Sequence, residues 1–159
     1  MASIPEDLRL WRLVKTRHAG TAFDGEGAYR FGGRWNSHGQ RLVYASGSLS
    51  LALLEILVHL DPAPGLPALS VFPISLPKAL LQTESFSSLD TISGGLPWPL
   101  GKTRAWGDAW HRAGTSPALA VPSSIVPHET NYILNPRHHD FNRITIGQPQ
   151  PFTLDARLG

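Results

Sequence analysis

Cysteine is absent from the 159-residue chain, which excludes a disulfide framework, a thiol nucleophile and any Cys-ligated zinc or iron–sulfur site. Charge is scarce too. Asp, Glu, Lys and Arg make up 16% of the residues, too few for a coiled coil or a charged disordered chain. The net charge of +2 comes without a basic run. It permits an anionic ligand and does not indicate direct nucleic-acid binding. Long hydrophobic runs are also missing: the longest, Leu49 to Leu60, is interrupted by Glu55 and His59 and is too short to span a bilayer. The opening MASIPEDLRLWRLVK carries Glu6 and Asp7 where a secretion signal would have a basic and then an apolar segment. A soluble cytoplasmic protein without membrane contact is the expectation.

What the chain has in quantity is Gly and Pro, 15 and 14 residues, alongside enough Leu, Ile, Val and Phe to build a core. This combination predicts a loop-rich single domain over residues 1–159. Strands are predicted for 8–14, 41–46 and 68–76, with Pro73 confining the third to an edge or a bulge. Further short strands are predicted at 118–123, 131–135, 142–146 and 151–155. Between Gly20 and Gly39 six glycines in twenty residues imply loop and tight turns. A helix is predicted from a Ser48 N-cap to Leu60, stopping before Asp61-Pro62, apolar nearly all round and so buried. A second, amphipathic helix spans Thr103–Ala113, capped by Thr103 and ended by Gly114. The order is α+β rather than regularly alternating α/β.

Several motifs fail on spacing. Gly95 to Gly101-Lys102-Thr103 has five residues between its glycines where a phosphate-binding loop needs four, and Gly25-Glu26-Gly27 lacks the third glycine of a dinucleotide fingerprint. Neither G-x-S-x-G nor H-E-x-x-H occurs. In His138-His139-Asp140, adjacent side chains of an extended backbone point apart, so surface histidines beside Pro136 are the simpler reading and no metal is expected.

One carboxylate stands out. Ser48, Ala52, Glu55 and His59 are spaced by four, three and four residues, a small or polar stripe along an otherwise apolar helix. Either Glu55 pairs with His59 one turn away, or it faces a pocket. Gly32-Gly33-Arg34-Trp35-Asn36 sets a guanidinium beside an indole after two glycines. Arg34 can fork onto phosphate oxygens and Trp35 can stack on a heteroaromatic ring, or the two can stack on each other. Tyr44 faces either core or cleft, while Ser123 and Asn135 both fit ordinary turn chemistry.

Taken together, GGRWN at 32–36, VYAS at 43–46, the ALLE of the predicted helix, VPSS at 121–124 and LNPRHHDF at 134–141 resemble the RES domain family, named for its Arg, Glu and Ser. The resemblance runs from about Leu10 to Leu158. It implies an ADP-ribosyltransferase-like fold: short, mostly antiparallel strands in a split sheet around an NAD cleft, with one buried helix and peripheral helices. It also implies a toxin of a bacterial toxin–antitoxin pair that uses NAD as substrate and is neutralised by an Xre-type helix-turn-helix antitoxin, the ADP-ribose passing to water, phosphate or a target protein. Position by position, Arg34, Tyr44, Glu55 and Ser123 fall on the family's catalytic residues. Arg34, Trp35, Tyr44, Asn36, Arg12 and Asn135 are the expected NAD-binding set. The alternative is a toxin that binds nucleotide or RNA without NAD turnover, or one that cleaves RNA with His111, His128 or His138 as acid and base.

Overall fold

The computed structural model describes residues 6–60, 65–87, 89 and 98–158. Asp61-Pro62, expected to stop the first long helix, and Gly95 of the rejected phosphate loop lie outside them. Strand β1 (Asp7–Lys15) runs antiparallel to β3 (Leu69–Pro77) over its whole length, from Asp7 opposite Pro77 to Lys15 opposite Leu69. Strand β2 (Val43–Ser46) pairs with β6 (Thr130–Leu134), and β6 with β5 (Ala118–Pro122), again antiparallel. The two-residue β4 (Leu81–Gln82) adds to β5 in parallel. Two short strands, β7 (Thr145–Ile146) and β8 (Gln150–Phe152), share the far side of β3.

The order β4-β5-β6-β2-β1-β3-β7 makes one mixed sheet in an α+β fold. Its two halves are joined by a single residue pair, Trp11 opposite Ser46. The expected split of the sheet is therefore present in this form: β1 and β2 touch at one point and leave room beside it.

Side-chain alternation builds a core on both faces. Val43 and Ala45 of β2 join Leu10, Ile74, Leu76, Ala118 and Leu134 on one side. On the other, Leu42 and Tyr44 pack with Leu119, Val121 and Ile133, beneath helix α3 (Leu100–Ala113) and its Trp110. β3 is internal rather than an edge, yet Pro73 is accommodated. It falls between the residues of β3 paired with β8 and those paired with β7, and its carbonyl accepts from Gly147 N at 2.8 Å. The missing N–H thus faces the gap between two short strands.

Helix boundaries differ from expectation in ways that matter for the site. Helix α2 (Leu49–Leu57) is capped by Ser48, whose hydroxyl accepts from Leu51 N at 3.1 Å. It ends by tightening, with His59 N bonded to Ile56 O and Leu60 N to Leu57 O. It is not buried all round. Leu51 and Ala52 are covered, but Leu54 is 41% and Val58 59% exposed, because α2 lies over the Trp11 and Leu13 face of β1 with nothing outside it among the described residues. α3 begins at Leu100, one turn before Thr103, whose hydroxyl bonds Arg34 O and Leu100 O instead of capping.

Inside the glycine-rich stretch expected to be loop sits a six-residue helix, α1 (Glu26–Phe31), with Gly25 before it and Gly32 after it. Of the strand predicted at 142–146 only Thr145–Ile146 forms, since Phe141–Arg143 is a 3₁₀ turn with Ile144 N bonded to Phe141 O.

Candidate active site

A cavity of about 870 Å³ opens where β1 and β2 part, large enough for a dinucleotide-sized ligand. Its walls are the β1–β2 junction, the loop after α1, one face of α2, the start of α3 and the ends of β5 and β6. Helical periodicity does what the spacing predicts: Ala52, Glu55 and His59 all line it. Ser48 serves as the cap.

Glu55 does not pair with His59. Ser123 Oγ donates to Glu55 Oε1 at 2.8 Å, and Asn131 Nδ2 donates to the same oxygen at 2.6 Å. Asn131 is itself oriented by Ser46 Oγ, which donates to Asn131 Oδ1 at 2.7 Å. Oε2 has no hydrogen-bond partner among the described residues. One carboxylate oxygen is thus clamped from the turn after β5 and from β6, while the other is not.

Ser123 has no exposed surface. Its hydroxyl also accepts from Ile125 N at 3.1 Å and Val126 N at 3.0 Å, so it fixes the turn after β5 and Glu55 together. The neighbouring Pro122, Ser124 and Ile125 line the cavity.

Arg12, Arg34 and Arg104 also line the cavity, together with Asp24 and Glu26. Arg12 Nε donates to Ala22 O at 2.7 Å and its NH1 to Tyr44 O at 2.8 Å, stitching β1 to β2 beside their one paired point. Burial pulls this guanidinium down to about 10, with nearby Asp24 acting the other way. Arg34 faces the cavity and donates through NH1 to Trp98 O at 3.1 Å.

Trp35 is 2% exposed. Its indole packs edge-on against Phe86 and Trp98, at centroid distances of 5.1 and 6.0 Å, so Trp35, which is among the residues lining the cavity, is also a core anchor of the loop.

Asn36 is fully buried and is not among the residues that line the cavity. Its Nδ2 donates to the carbonyls of Ala28, Ser37 and Gln40, tying the loop to α1. Tyr44 Oη donates to Asn36 Oδ1 at 2.6 Å and accepts from Trp35 N at 3.0 Å. Burial raises the phenol's pKa well beyond its ordinary range, against the opposing pull of Arg104 and Arg34. Tyr44 is therefore a neutral hydroxyl at neutral pH that shapes the 33–36 loop. Tyr44→Phe is expected to leave Trp35 N and Asn36 Oδ1 unpaired and to cost about 1–3 kcal/mol in denaturant unfolding; an unchanged midpoint would remove Tyr44 from this role.

Asn135 is not brought to the cavity. Its Oδ1 accepts from Arg137 N at 3.0 Å in a turn. The histidines are also elsewhere: His111, His128 and His138 are absent from the lining. His111 has a buried Nε2 without a hydrogen-bond partner among the described residues and is held below its usual pKa by burial. His138, His139 and Asp140 have ligand atoms within 4.8 Å of one another. Yet both His138 nitrogens are engaged, Nδ1 by Asp140 N and Nε2 with Gly114 O, which fits a folded turn.

Ser46, Asn131, Thr103 and Arg104 were not among the expected site residues. The one sequence signal for the first two is a polar residue inside each of two apolar strands, and they are set opposite each other. Arg104 lies within an ordinary amphipathic helix and gives no such signal.

Comparison with known proteins agrees over nearly the whole chain. The model of the RES domain matches residues 9–155. A protein named Toxin Res from Photorhabdus laumondii is 35% identical over 150 residues, covering 94% of this chain and 96% of its own. The Prs ADP-ribosylating toxin of a Sphingobium strain is 35% identical over 155 residues, covering 93% of this chain and 94% of its own. A chain from the crystal structure of the M. tuberculosis MbcT–MbcA toxin–antitoxin complex superposes with a TM-score of 0.70 at 19% identity, covering 94% of this chain and 86% of that one.

Proposed function

The chain belongs to the RES domain family, and from this and the geometry of its cavity we propose that it is the toxin of a bacterial toxin–antitoxin pair that consumes NAD. The observation that carries the reading is Glu55: one oxygen clamped by Ser123 and Asn131, the other without a hydrogen-bond partner among the described residues, in a cavity that three arginines also line. The name of the Sphingobium relative, an ADP-ribosylating toxin, supports the same chemistry, and the fold shared with a chain of a toxin–antitoxin complex supports the pairing with an antitoxin.

The C1′–N1 bond between ribose and nicotinamide breaks with its electron pair returning to the pyridine nitrogen. Nicotinamide leaves neutral and needs no general acid. Positive charge develops on the ribose, as in glycoside hydrolysis. Glu55 Oε2 stabilises that charge and holds a ribose hydroxyl. Arg34 binds the diphosphate, and Tyr44, with Arg12 behind it, keeps the cavity wall in place. An acceptor oxygen or nitrogen then attacks C1′ and loses its proton.

Turnover is tested by following NAD with the purified chain, with and without phosphate, and weighing the product. ADP-ribose means transfer to water, and ADP-ribose phosphate means transfer to phosphate. Labelled protein after addition of lysate means transfer to a side chain. NAD that persists through all three arms would sink the proposal.

Asn131 acts as a positioning residue. Asn131→Ala is expected to lower kcat for NAD loss about 10- to 100-fold with little change in KM, because Oε2 is no longer aimed. Ser46→Thr, which keeps the hydroxyl, should retain activity. A proportional rise in KM alone would assign Asn131 to binding instead.

An unrestrained NAD-consuming enzyme in the cytoplasm requires a neutralising partner, and a cognate Xre-type antitoxin fills that place. Phe31, 73% exposed, with Val58 and Leu100 leaves an apolar rim at the cavity mouth that such a cover would bury. Contact with DNA falls to the antitoxin. No helix of the described residues is long and apolar enough to cross a membrane. The RNA-cleaving alternative has no observation in its favour, since its three histidines are away from the cavity.

A further inference from the structure

Three arginines line the cavity, Arg12, Arg34 and Arg104. Among the described residues none of them forms a salt bridge. Arg12 is occupied by two backbone carbonyls. Arg104 is held differently. From the first turns of α3 it donates Nε alone to Gly33 O at 2.9 Å, which leaves its two terminal nitrogens, with four N–H donors, unclaimed by protein acceptors among the described residues.

The backbone is shaped around this guanidinium. A Cβ on Gly32 would lie 2.9 Å from Arg104 NH2, and one on Gly33 would lie 2.5 Å from Tyr44 Oη. The bare Gly32-Gly33 backbone therefore lets Arg104 reach over to the cavity while the next residue, Arg34, enters from the loop itself. Thr103 Oγ1 on Arg34 O and Gly107 against Trp35 O lock α3 to the same loop. Both guanidiniums are near enough to Tyr44 for their charge to act on its hydroxyl. A cationic pair on the cavity lining, with both terminal nitrogens of Arg104 and the NH2 of Arg34 unclaimed by protein acceptors among the described residues, is preorganised for an anion.

We infer that Arg104 is a second phosphate-binding residue that works with Arg34 on either side of Gly33, so that the cavity selects ligands carrying two linked phosphates. This rests on the NAD reading and deepens it. Arg34 and Arg104 anchor the diphosphate on one wall, and Glu55 meets the ribose across the cavity. Removing Arg104 should weaken binding of diphosphate-bearing ligands and spare the recognition of a nucleoside.

The test uses the full chain carrying Glu55→Gln, which blocks turnover, with and without Arg104→Gln or Arg104→Lys. Affinities for NAD, ADP-ribose and inorganic pyrophosphate are measured by calorimetry, and for adenosine by NMR titration. Expected is a loss of about 10- to 100-fold for NAD, ADP-ribose and pyrophosphate in Arg104→Gln, partial recovery in Arg104→Lys, and unchanged adenosine shifts and melting temperature. Unchanged ADP-ribose affinity would overturn the inference. So would equal weakening of adenosine and ADP-ribose with a lowered melting temperature, which would make Arg104 a support for the loop. If the parent bound pyrophosphate in an Arg104-dependent way but neither NAD nor ADP-ribose, the NAD reading would fall and the anion site would stand. If it bound none of the three, both would fall.

Discussion

Glu55→Gln is expected to lower NAD consumption by at least about 10²- to 10³-fold while the protein keeps its fold. The substitution is isosteric. Its carbonyl oxygen can accept from both Ser123 Oγ and Asn131 Nδ2, as Oε1 does at 2.8 and 2.6 Å, so the clamp survives. What changes is the group facing the cavity, where a charged acceptor becomes a neutral amide that donates hydrogen bonds. An oxocarbenium-like ribose gains nothing from that amide. Melting temperature should move little, which separates this variant from Glu55→Ala, where the Ser123 hydroxyl and the Asn131 amide both lose their acceptor. Full NAD consumption by the Gln variant would rule out the carboxylate's central role.

Gly107→Ala carries the largest expected effect on stability, and its sign runs against helix propensity. In the middle of α3, Ala would ordinarily be preferred over Gly by about 1 kcal/mol. Here the added Cβ would lie 1.7 Å from Trp35 O and 2.7 Å from its carbonyl carbon, a collision with backbone that no rotamer relieves. α3 must move off the 33–37 loop, pulling on the Thr103 bond to Arg34 O and on Asp108 Oδ1, which accepts from Ser37 N at 2.9 Å. A net destabilisation of about 3 kcal/mol or more is expected, read as a drop in melting temperature of roughly 10 °C for a domain of this size. Activity should fall with it, because Arg34 and Arg104 sit on the displaced elements. An unchanged or raised melting temperature would mean that the helix and loop are not held as described.

Much of the part of the cavity built by α2 was legible locally. The stripe of Ala52, Glu55 and His59 depends on the 3.6-residue repeat alone, and the three residues do face one cavity. The Ser48 cap follows from the same kind of short-range chemistry. Short-range reading was weaker where a motif offered two outcomes. Arg34 faces the cavity, but Trp35 beside it turns into a cluster with Phe86 and Trp98, 51 and 63 residues further on. The same holds for Asn36 and Asn135, whose amides close local turns and stay out of the cavity. α1 was hidden because glycine density weighs against helix. Its side chains add an i,i+4 pair between Glu26 and Arg30 at 2.7 Å, and Asn36 holds its Ala28 carbonyl.

By itself, then, the amino-acid sequence determined the α+β class, most of the strands, the two longer helices and the face on which Glu55 is displayed. These depend on periodicity and capping between residues a few positions apart. Tertiary structure alone decided which partners Glu55 takes and which arginines meet at the cavity. Asn131 reaches Glu55 because β6 pairs with β2 in the register that sets it opposite Ser46, and a shift of one residue would turn its side chain to the other face. Arg104 joins Arg34 because Gly107 lets α3 press onto a loop 71 residues earlier in the chain. Register and close packing are settled by contacts between distant segments, and those contacts exist only once the chain has folded.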